Sequence, residues 1–201
     1  MNTPSHLIVN MALLGRQPER AVRWAVAVGA LLPDAPMFVF YAWHKLVLGL
    51  SEQTIWEELY FESDAWRAVF DGFNSVPIFG ALLAIGLAGR RFSDHIGHRV
   101  LAALSASVLV HCAFDLPIHH NDGHRHFFPF SDWIYRSPVS YWDPEHHGTW
   151  AAAAEIALVA GAAVLLWSHL QKRRYRVLAA GLPVLMTIGW VAFYGRRLVG
   201  P

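Results

Sequence analysis

Four windows of the chain are apolar over most of their length, and polar connections separate them. Thr149 to Trp167 and Val177 to Gly195 contain no Lys or Arg, and each has about the 20 residues that a helix needs to cross a bilayer. Val100 to Ile118 is apolar except near its end, and Asn74 to Gly89 is shorter but uncharged. This pattern predicts several membrane-spanning helices.

The N-terminal part is built from shorter elements. Ser5 to Leu14 is apolar but too short to span, and after a turn a second piece runs from Arg20 to Leu32. The run Pro33-Asp34-Ala35-Pro36 then breaks the helix, because each proline lacks a backbone donor and disfavours helix in the residue before it. We therefore expect a short helical hairpin that brings His6 and Asp34 to the same end.

Two further segments complete the predicted fold. Met37 to Leu50 is an aromatic-rich helix, and Ser51 to Asp71 is an acidic, amphipathic surface segment that does not span. We see no internal repeat. The predicted fold is all-α: a polytopic membrane helical bundle of about five to six helices with the N-terminal hairpin, in which residues 1–201 form a single integral membrane domain.

Composition supports a lipid environment. The chain is 55% hydrophobic and 15% charged, with a mean hydropathy of +0.31, whereas soluble domains are about 45–50% apolar and roughly 25% charged. The net charge of +1 and the lack of a basic stripe argue against a nucleic-acid partner. The predicted partner is the lipid bilayer, and the single Cys112 allows no intramolecular disulfide.

Charge also predicts an orientation. Basic residues lie in three short connections on one side: Arg16, Arg20 and Arg23; Arg90, Arg91 and Arg99; and Lys172 to Arg176. The acidic segment and the stretch from His119 to Thr149 fall on the other side. By the positive-inside rule the basic side is cytoplasmic, so the histidine-rich side faces away from the cytoplasm. Arg196 and Arg197 do not fit this scheme.

Candidate chemistry is concentrated after position 110. Five of the 12 histidines lie between His111 and His126. His111 and Asp115 share a face of the predicted helix, and Pro117 ends or kinks it, so that His119 emerges close by. Imidazole and carboxylate are suitable ligands for zinc, manganese or iron.

An ionisable group in a membrane helix costs about 2.5–3.5 kcal/mol on insertion scales, so we expect each of these residues to have a partner or a function. Three interpretations of the cluster stay open. They are a divalent metal site, with zinc as the first candidate, a His–Asp pair that only ties helices together, and a proton or ion pathway. The candidate metal ligands are His6, Asp34, His111 and Asp115, followed by His119 and His124. For Asp34 the alternative is capping of the next helix, and for His6 it is a histidine on the protein surface.

Three more residues are candidates for catalysis. Asp122 in the loop and Glu155 inside an apolar window are possible general bases, and Arg125 can hold an anionic group. The alternative for the loop residues is a solvated polar connection, and the alternatives for Glu155 are a metal ligand or a carboxylate neutralised by burial. A connection of this length is longer than passive loops usually are, which favours function.

At these positions most of the chain resembles a bacterial family of small membrane-bound, metal-dependent hydrolases, also described as LexA-binding, inner-membrane-associated hydrolases. The resemblance rests on Pro4-Ser5-His6, Gly29-Ala-Leu-Leu-Pro33-Asp34, His111-x-x-x-Asp115 and the run Asp122-Gly-His124-x-His126-Phe-Phe-Pro129-Phe130-Ser131. It implies a helical membrane fold, a divalent metal and a location in the bacterial inner membrane.

Two positions depart from that family. Pro33-Asp34-Ala35-Pro36 lacks a second acid, and Asn74 stands where the family carries a histidine in Thr-His-Ser. Asn is a poorer metal ligand than His, so a degenerate or differently metallated site is an alternative. The spacing of His111, Asp115 and His119 is also faintly similar to zinc-dependent phospholipases C, although its last interval is shorter.

The leading functional hypothesis is a membrane-embedded, metal-dependent hydrolase whose His/Asp site lies at one membrane face and acts on a phosphoester or lipid-linked substrate. The substrate class follows only from the location of the site. The alternatives are a non-enzymatic metal-handling or transport protein and a membrane scaffold with a vestigial metal site.

Overall fold

Eight α-helices form in the part of the chain that the structure describes. The structure is a computed structural model that describes residues 1–60 and 63–198, with side chains up to Gly195 in the last helix. In chain order the helices are α1 (Thr3–Leu14), α2 (Arg20–Leu31), α3 (Ala35–Ala42), α4 (Asp64–Phe73), α5 (Val76–Phe92), α6 (Ile96–Asp115), α7 (Gly148–Trp167) and α8 (Arg173–Leu198). No strand is present among these residues, which confirms the all-α prediction.

Four helical segments are each long and apolar enough to cross a membrane: Asp64–Phe92, Ile96–Ile118, Gly148–Trp167 and Arg173–Gly195. A fifth candidate is the pair Arg20–Leu31 and Ala35–Val47, which is bent by 58° at the Pro33–Pro36 break. The predicted multi-pass bundle is therefore confirmed, with four spans or, if the bent pair is one span, five.

The acidic segment differs from its prediction. Its last part, α4, runs on into α5 as one 29-residue candidate span, Asp64–Phe92. Asp71 is only 4% exposed and does not lie on the surface. The segment also contains Glu62, which lies outside the described residues. The side chains of Arg196 and Arg197, which bear on orientation, lie outside them too.

Helix α6 occupies the centre of the bundle and packs against α1, α2 and α5. A Cβ atom on Gly29 of α2 would lie 2.4 Å from the backbone oxygen of Leu104 in α6, so only glycine permits this close approach. Asn10 of α1 donates from Nδ2 to both the backbone oxygen and Oγ of Ser107, each at 2.8 Å, and Ser107 Oγ donates to the backbone oxygen of Val26 at 2.7 Å. These buried bonds set the relative positions of α1, α2 and α6.

An aromatic cluster fills the space beside the bundle between α3 and α4. Phe40, Ile55 and Phe70 are its buried members, and Trp66 and Tyr60 pack around them. Two π-helical turns, Trp43–Val47 and Thr54–Leu59, connect the helices. At the end of α4, Asp71 pairs with Arg125 of the loop between α6 and α7, which is the end of the bundle where the histidines gather.

The outer faces of α7 and α8 are strongly apolar and exposed. Val164, Leu185 and Ile188 are 73%, 67% and 61% exposed. Exposed apolar surface of this extent is rare on soluble monomers and marks contact with a membrane or a partner. Together with the length and hydropathy of the helices, it fits a multi-pass membrane protein.

Candidate metal centre

Two histidines and one aspartate meet at one end of the bundle. His6 comes from α1, Asp34 from the break between α2 and α3, and His111 from the end of α6. Each offers a ligand atom, and these atoms all lie within 4.8 Å of one another. Both histidines are fully buried, and the side chain of Asp34 is 18% exposed. Among the described residues, this is the one such group of His, Cys, Asp or Glu side chains, and it can hold a metal ion.

The orientation of His111 indicates which of its ring nitrogens is available. Nδ1 lies 2.9 Å from the backbone oxygen of Ala30, and because a carbonyl only accepts hydrogen bonds, Nδ1 carries the proton in the neutral ring. Nε2 lies 2.8 Å from Asp115 Oδ2 and 3.5 Å from Asp34 Oδ1. Nε2 is therefore buried between these two carboxylates. Metal-binding histidines commonly donate their second N–H to a carbonyl in this way.

His6 is stacked directly on His111. The ring centroids lie 3.5 Å apart and the planes differ by 11°. His6 Nε2 is hydrogen-bonded to Asp115 Oδ1 at 2.9 Å, and Nδ1 is buried without a hydrogen-bond partner. The alternative of a surface histidine is therefore wrong for His6.

Asp34 occupies the N-cap position of α3, but its side chain makes no capping hydrogen bond. It instead accepts a hydrogen bond from Thr3 Oγ1 at 2.6 Å and faces His111. The capping interpretation of Asp34 is therefore wrong. The expected hairpin is present, since this bond joins the start of α1 to the end of α2.

Asp115 lies beside the three-residue group without belonging to it. Its Oδ1 accepts from the amino group of Met1 at 2.6 Å and from His6, and lies 3.5 Å from His119 Nε2. Its Oδ2 lies against His111. Asp115 is thus the anion on which several nitrogens converge, and its role as a direct metal ligand stays a prediction.

The loop after α6 extends this cluster toward the membrane surface. His119 Nδ1 lies 3.1 Å from Asp122 Oδ1, and both atoms are buried. Burial opposes protonation of His119, but the carboxylates of Asp115 and Asp122 outweigh it and raise the pKa of His119 to about 9. His119 therefore links the buried cluster to the loop.

His124 lies farther from the His6–Asp34–His111 group than the sequence suggested. Its ring centroid is 6.3 Å from that of His119, and its Nδ1 is 3.8 Å from Asp71 Oδ1. Burial, reinforced by the nearby His119 and His126, lowers the pKa of His124 to about 4. It is not part of the three-residue group, and its role as a ligand stays a prediction.

A cavity of about 260 Å³ lies beside His124. Its charged and polar lining residues are Arg67, Asp71, Asn121, Asp122, His124 and Arg136. Because Asp122 contacts His119, and His119 approaches Asp115, the cavity adjoins the buried cluster. A pocket that combines carboxylates, histidine and two guanidinium groups suits an anionic ligand.

Arg125 pairs with carboxylates of the protein itself, whereas we predicted that it holds an anionic group. Its backbone nitrogen donates to Asp71 Oδ1 at 2.9 Å, its Nε pairs with Asp71, and an Nη atom donates to Asp132 at 2.7 Å. These carboxylates raise the pKa of Arg125. The sequence did not reveal Asp71 as a site residue, because its partner is far away along the chain.

Glu155 and Asn74 are also explained by their contacts. Glu155 accepts from the backbone nitrogen of Asn2 at 2.8 Å and from its Nδ2, and lines a different cavity. Asn74 donates from Nδ2 to the backbone oxygens of Phe70 and Pro33, at 3.0 and 3.4 Å. Its own backbone oxygen accepts from His126 Nδ1 at 3.1 Å. Asn74 thus joins segments of the backbone, which gives it a structural role independent of any metal.

Comparisons with protein-family models, with curated proteins and with solved structures find no significant match for this chain. The resemblance to membrane-bound, metal-dependent hydrolases therefore stays a prediction carried by the residues quoted above. What the structure adds is that His6, Asp34 and His111, three positions of that resemblance, form one buried group that can bind a metal ion.

Proposed function

We propose that this protein is a membrane-embedded, metal-dependent hydrolase of the bacterial inner membrane, with its site on the non-cytoplasmic face. The observation that carries the proposal is the environment of His111 Nε2. This nitrogen faces two carboxylates within 3.5 Å. With the proton on Nδ1, Nε2 meets this negative charge by binding either a second proton or a metal cation, and His6 and Asp34 supply two further ligands for a cation.

The donor set favours zinc, with manganese or iron as alternatives. Two imidazoles and one carboxylate form a three-ligand set of the kind found in catalytic zinc sites, which keep a position open for water or substrate. A divalent cation supplies Lewis acidity and activates water near neutral pH. The inner-membrane location rests on the family resemblance, and the orientation rests on the positive-inside rule.

The chain's own residues supply binding and proton transfer. We assign Asp122 as the general base, because it lines the 260 Å³ cavity and contacts His119. Arg136 and Arg67 line the same cavity and supply positive charge for a phosphoester. Arg125 positions Asp71 in the cavity wall through paired hydrogen bonds. Glu155 is the less suitable base, because its carboxylate is engaged by Asn2.

The first experiment measures bound metal and turnover together. The protein is purified in detergent, its metals are quantified by mass spectrometry, and hydrolysis of phosphodiester and phospholipid probes is followed with and without a chelator. We expect about one metal per chain, turnover that the chelator abolishes and added zinc restores, and loss of both in His111→Ala. His98→Ala, on the same helix but at its other end, is the matched control and retains both.

Each contrary outcome has a defined meaning. Metal content unchanged in His111→Ala refutes the site and favours a His–Asp pair that ties α1, α2 and α6 together. Metal bound through His111 without turnover of any probe refutes the hydrolase and favours a metal-handling protein or a scaffold.

A further inference from the structure

We propose that the cavity between α1, α7 and α8 binds a hydrocarbon chain of a membrane lipid and holds its head group beside His119 and the His6–Asp34–His111 group. The proposed binding of the hydrocarbon chain rests on the observed cavity alone. The identification of that lipid as the substrate rests on the proposed hydrolase function.

The cavity has the size and polarity of a lipid-chain site. It measures about 430 Å³, within the range of about 300–1,000 Å³ typical of small-molecule sites. Apolar side chains from the two spans dominate its walls, among them Ile156 of α7 and Leu182 and Met186 of α8. Polar groups are also present in the lining, and three of them, Asn2, Glu155 and Tyr141, belong to or contact the elements that carry the metal group.

The rim of the cavity is open. Phe193 lines the cavity and yet is 64% exposed, and the neighbouring α8 residues Leu185 and Ile188 are exposed to more than half of their surface. Since α7 and α8 are candidate membrane spans, the medium at this rim is lipid hydrocarbon. An apolar cavity of this kind offers water few polar partners, so a lipid chain is the occupant it suits.

The cavity also adjoins the proposed catalytic groups, through lining residues that neighbour them. Ser5 lines it and directly precedes His6 in α1, and Asn2 lines it next to Thr3, which hydrogen-bonds to Asp34. The ring of Tyr141 lines it and lies 5.0 Å from the ring of His119. These neighbours are the reason to place the head group of a bound lipid near the metal group; Arg67 and Arg136, which line the 260 Å³ cavity, supply positive charge for an anionic head group.

Gly189 gives a precise way to block the cavity. It lines the cavity from α8, and a Cβ atom added there meets no atom within 4 Å. Gly189→Leu therefore adds a bulky side chain at the cavity wall, at a position where the backbone tolerates a Cβ atom. Gly181→Leu is the matched control, because Gly181 lies on the same helix, also has open space at its Cβ position, and does not line the cavity.

The test uses a phosphatidic acid analogue that carries a photoreactive diazirine in one acyl chain, at low mole fraction in phosphatidylcholine nanodiscs containing the purified protein. After irradiation, crosslinked positions are mapped by peptide mass spectrometry. We expect crosslinks to be enriched at Ile156, Leu182 and Met186 over the exposed Val164 and Leu185. The enrichment should fall at least fivefold in Gly189→Leu and persist in Gly181→Leu.

Equal crosslinking at cavity and outer-surface positions, or the same pattern in both glycine variants, overturns the lipid-chain site. Crosslinks that are absent from the cavity positions and present only on the outer surface overturn it too. The readout needs no turnover. Absence of metal-dependent hydrolysis with the cavity crosslinks present therefore removes the hydrolase and leaves the lipid site standing.

Discussion

His6 and His111 lie stacked, with ring centroids 3.5 Å apart and planes 11° apart, although they come from helices separated by more than 80 residues of chain. Two imidazolium ions at this distance would repel each other strongly in a buried site. At least one ring is therefore neutral and has a lone pair available. Because α1 packs against α6, two histidines that are distant in sequence lie together in a candidate metal site.

Removal of the metal should lower the stability of the protein. A ligand that is present at 100 times its Kd and binds only the folded state stabilises it by about 2.7 kcal/mol, which for a chain of this length corresponds to roughly 5–10 °C in Tm. Melting in detergent should show this difference between zinc-loaded and chelated protein. Asp34→Asn, which removes the charge but keeps the size, should abolish the difference. An equal response to chelator in wild type and Asp34→Asn would contradict the ligand assignment.

Asp122→Asn should impair chemistry without impairing metal binding. A positioned general base contributes about 10²–10⁴-fold, so kcat should fall by that order while the bound metal remains at the wild-type level. Asp132→Asn is the control, since Asp132 is an 89% exposed carboxylate of the same loop and does not line the cavity. A kcat that is the same in both variants would rule out Asp122 as the base.

Asn74→Ala should destabilise the fold. The change removes the donor to two backbone oxygens, those of Phe70 and Pro33, in a site that is 1% exposed. Leaving buried groups unsatisfied costs about 1–3 kcal/mol, which thermal unfolding can detect. Asn121→Ala, at an exposed position, should melt like the wild type. Metal loss in Asn74→Ala without any loss of stability would show instead that Asn74 belongs to the metal site.

Gly29→Ala should separate α2 from α6. The new Cβ would lie 2.4 Å from the backbone oxygen of Leu104, so a helix must move, and overpacking of this kind costs about 1–3 kcal/mol. In Gly161→Ala the Cβ meets open space, and the change should be neutral or stabilising by up to about 1 kcal/mol. Thermal unfolding of the two variants checks the prediction, and similar melting temperatures would show that the approach of α2 to α6 is not tight.

The sequence by itself determined the membrane character and the number of long helices. Windows such as Thr149 to Trp167 and Val177 to Gly195 coincide with α7 and α8, because hydrophobic length and helix breakers are local properties of the chain. Pro33 and Pro36 predicted the break between α2 and α3 for the same reason. The spacing of His111 and Asp115 within one helix could be interpreted correctly, since positions four apart share a face.

Only the tertiary structure decided which polar residues meet. Asp71 was predicted to lie on a surface segment, but it is buried against Arg125. Asn74, which stands where the family carries a histidine, hydrogen-bonds to two segments of backbone. Glu155 faces the cavity between α7 and α8. These contacts depend on how helices distant in sequence pack together. That packing is set by the close approach at Gly29 and the buried hydrogen bonds of Asn10 and Ser107, which no local pattern encodes.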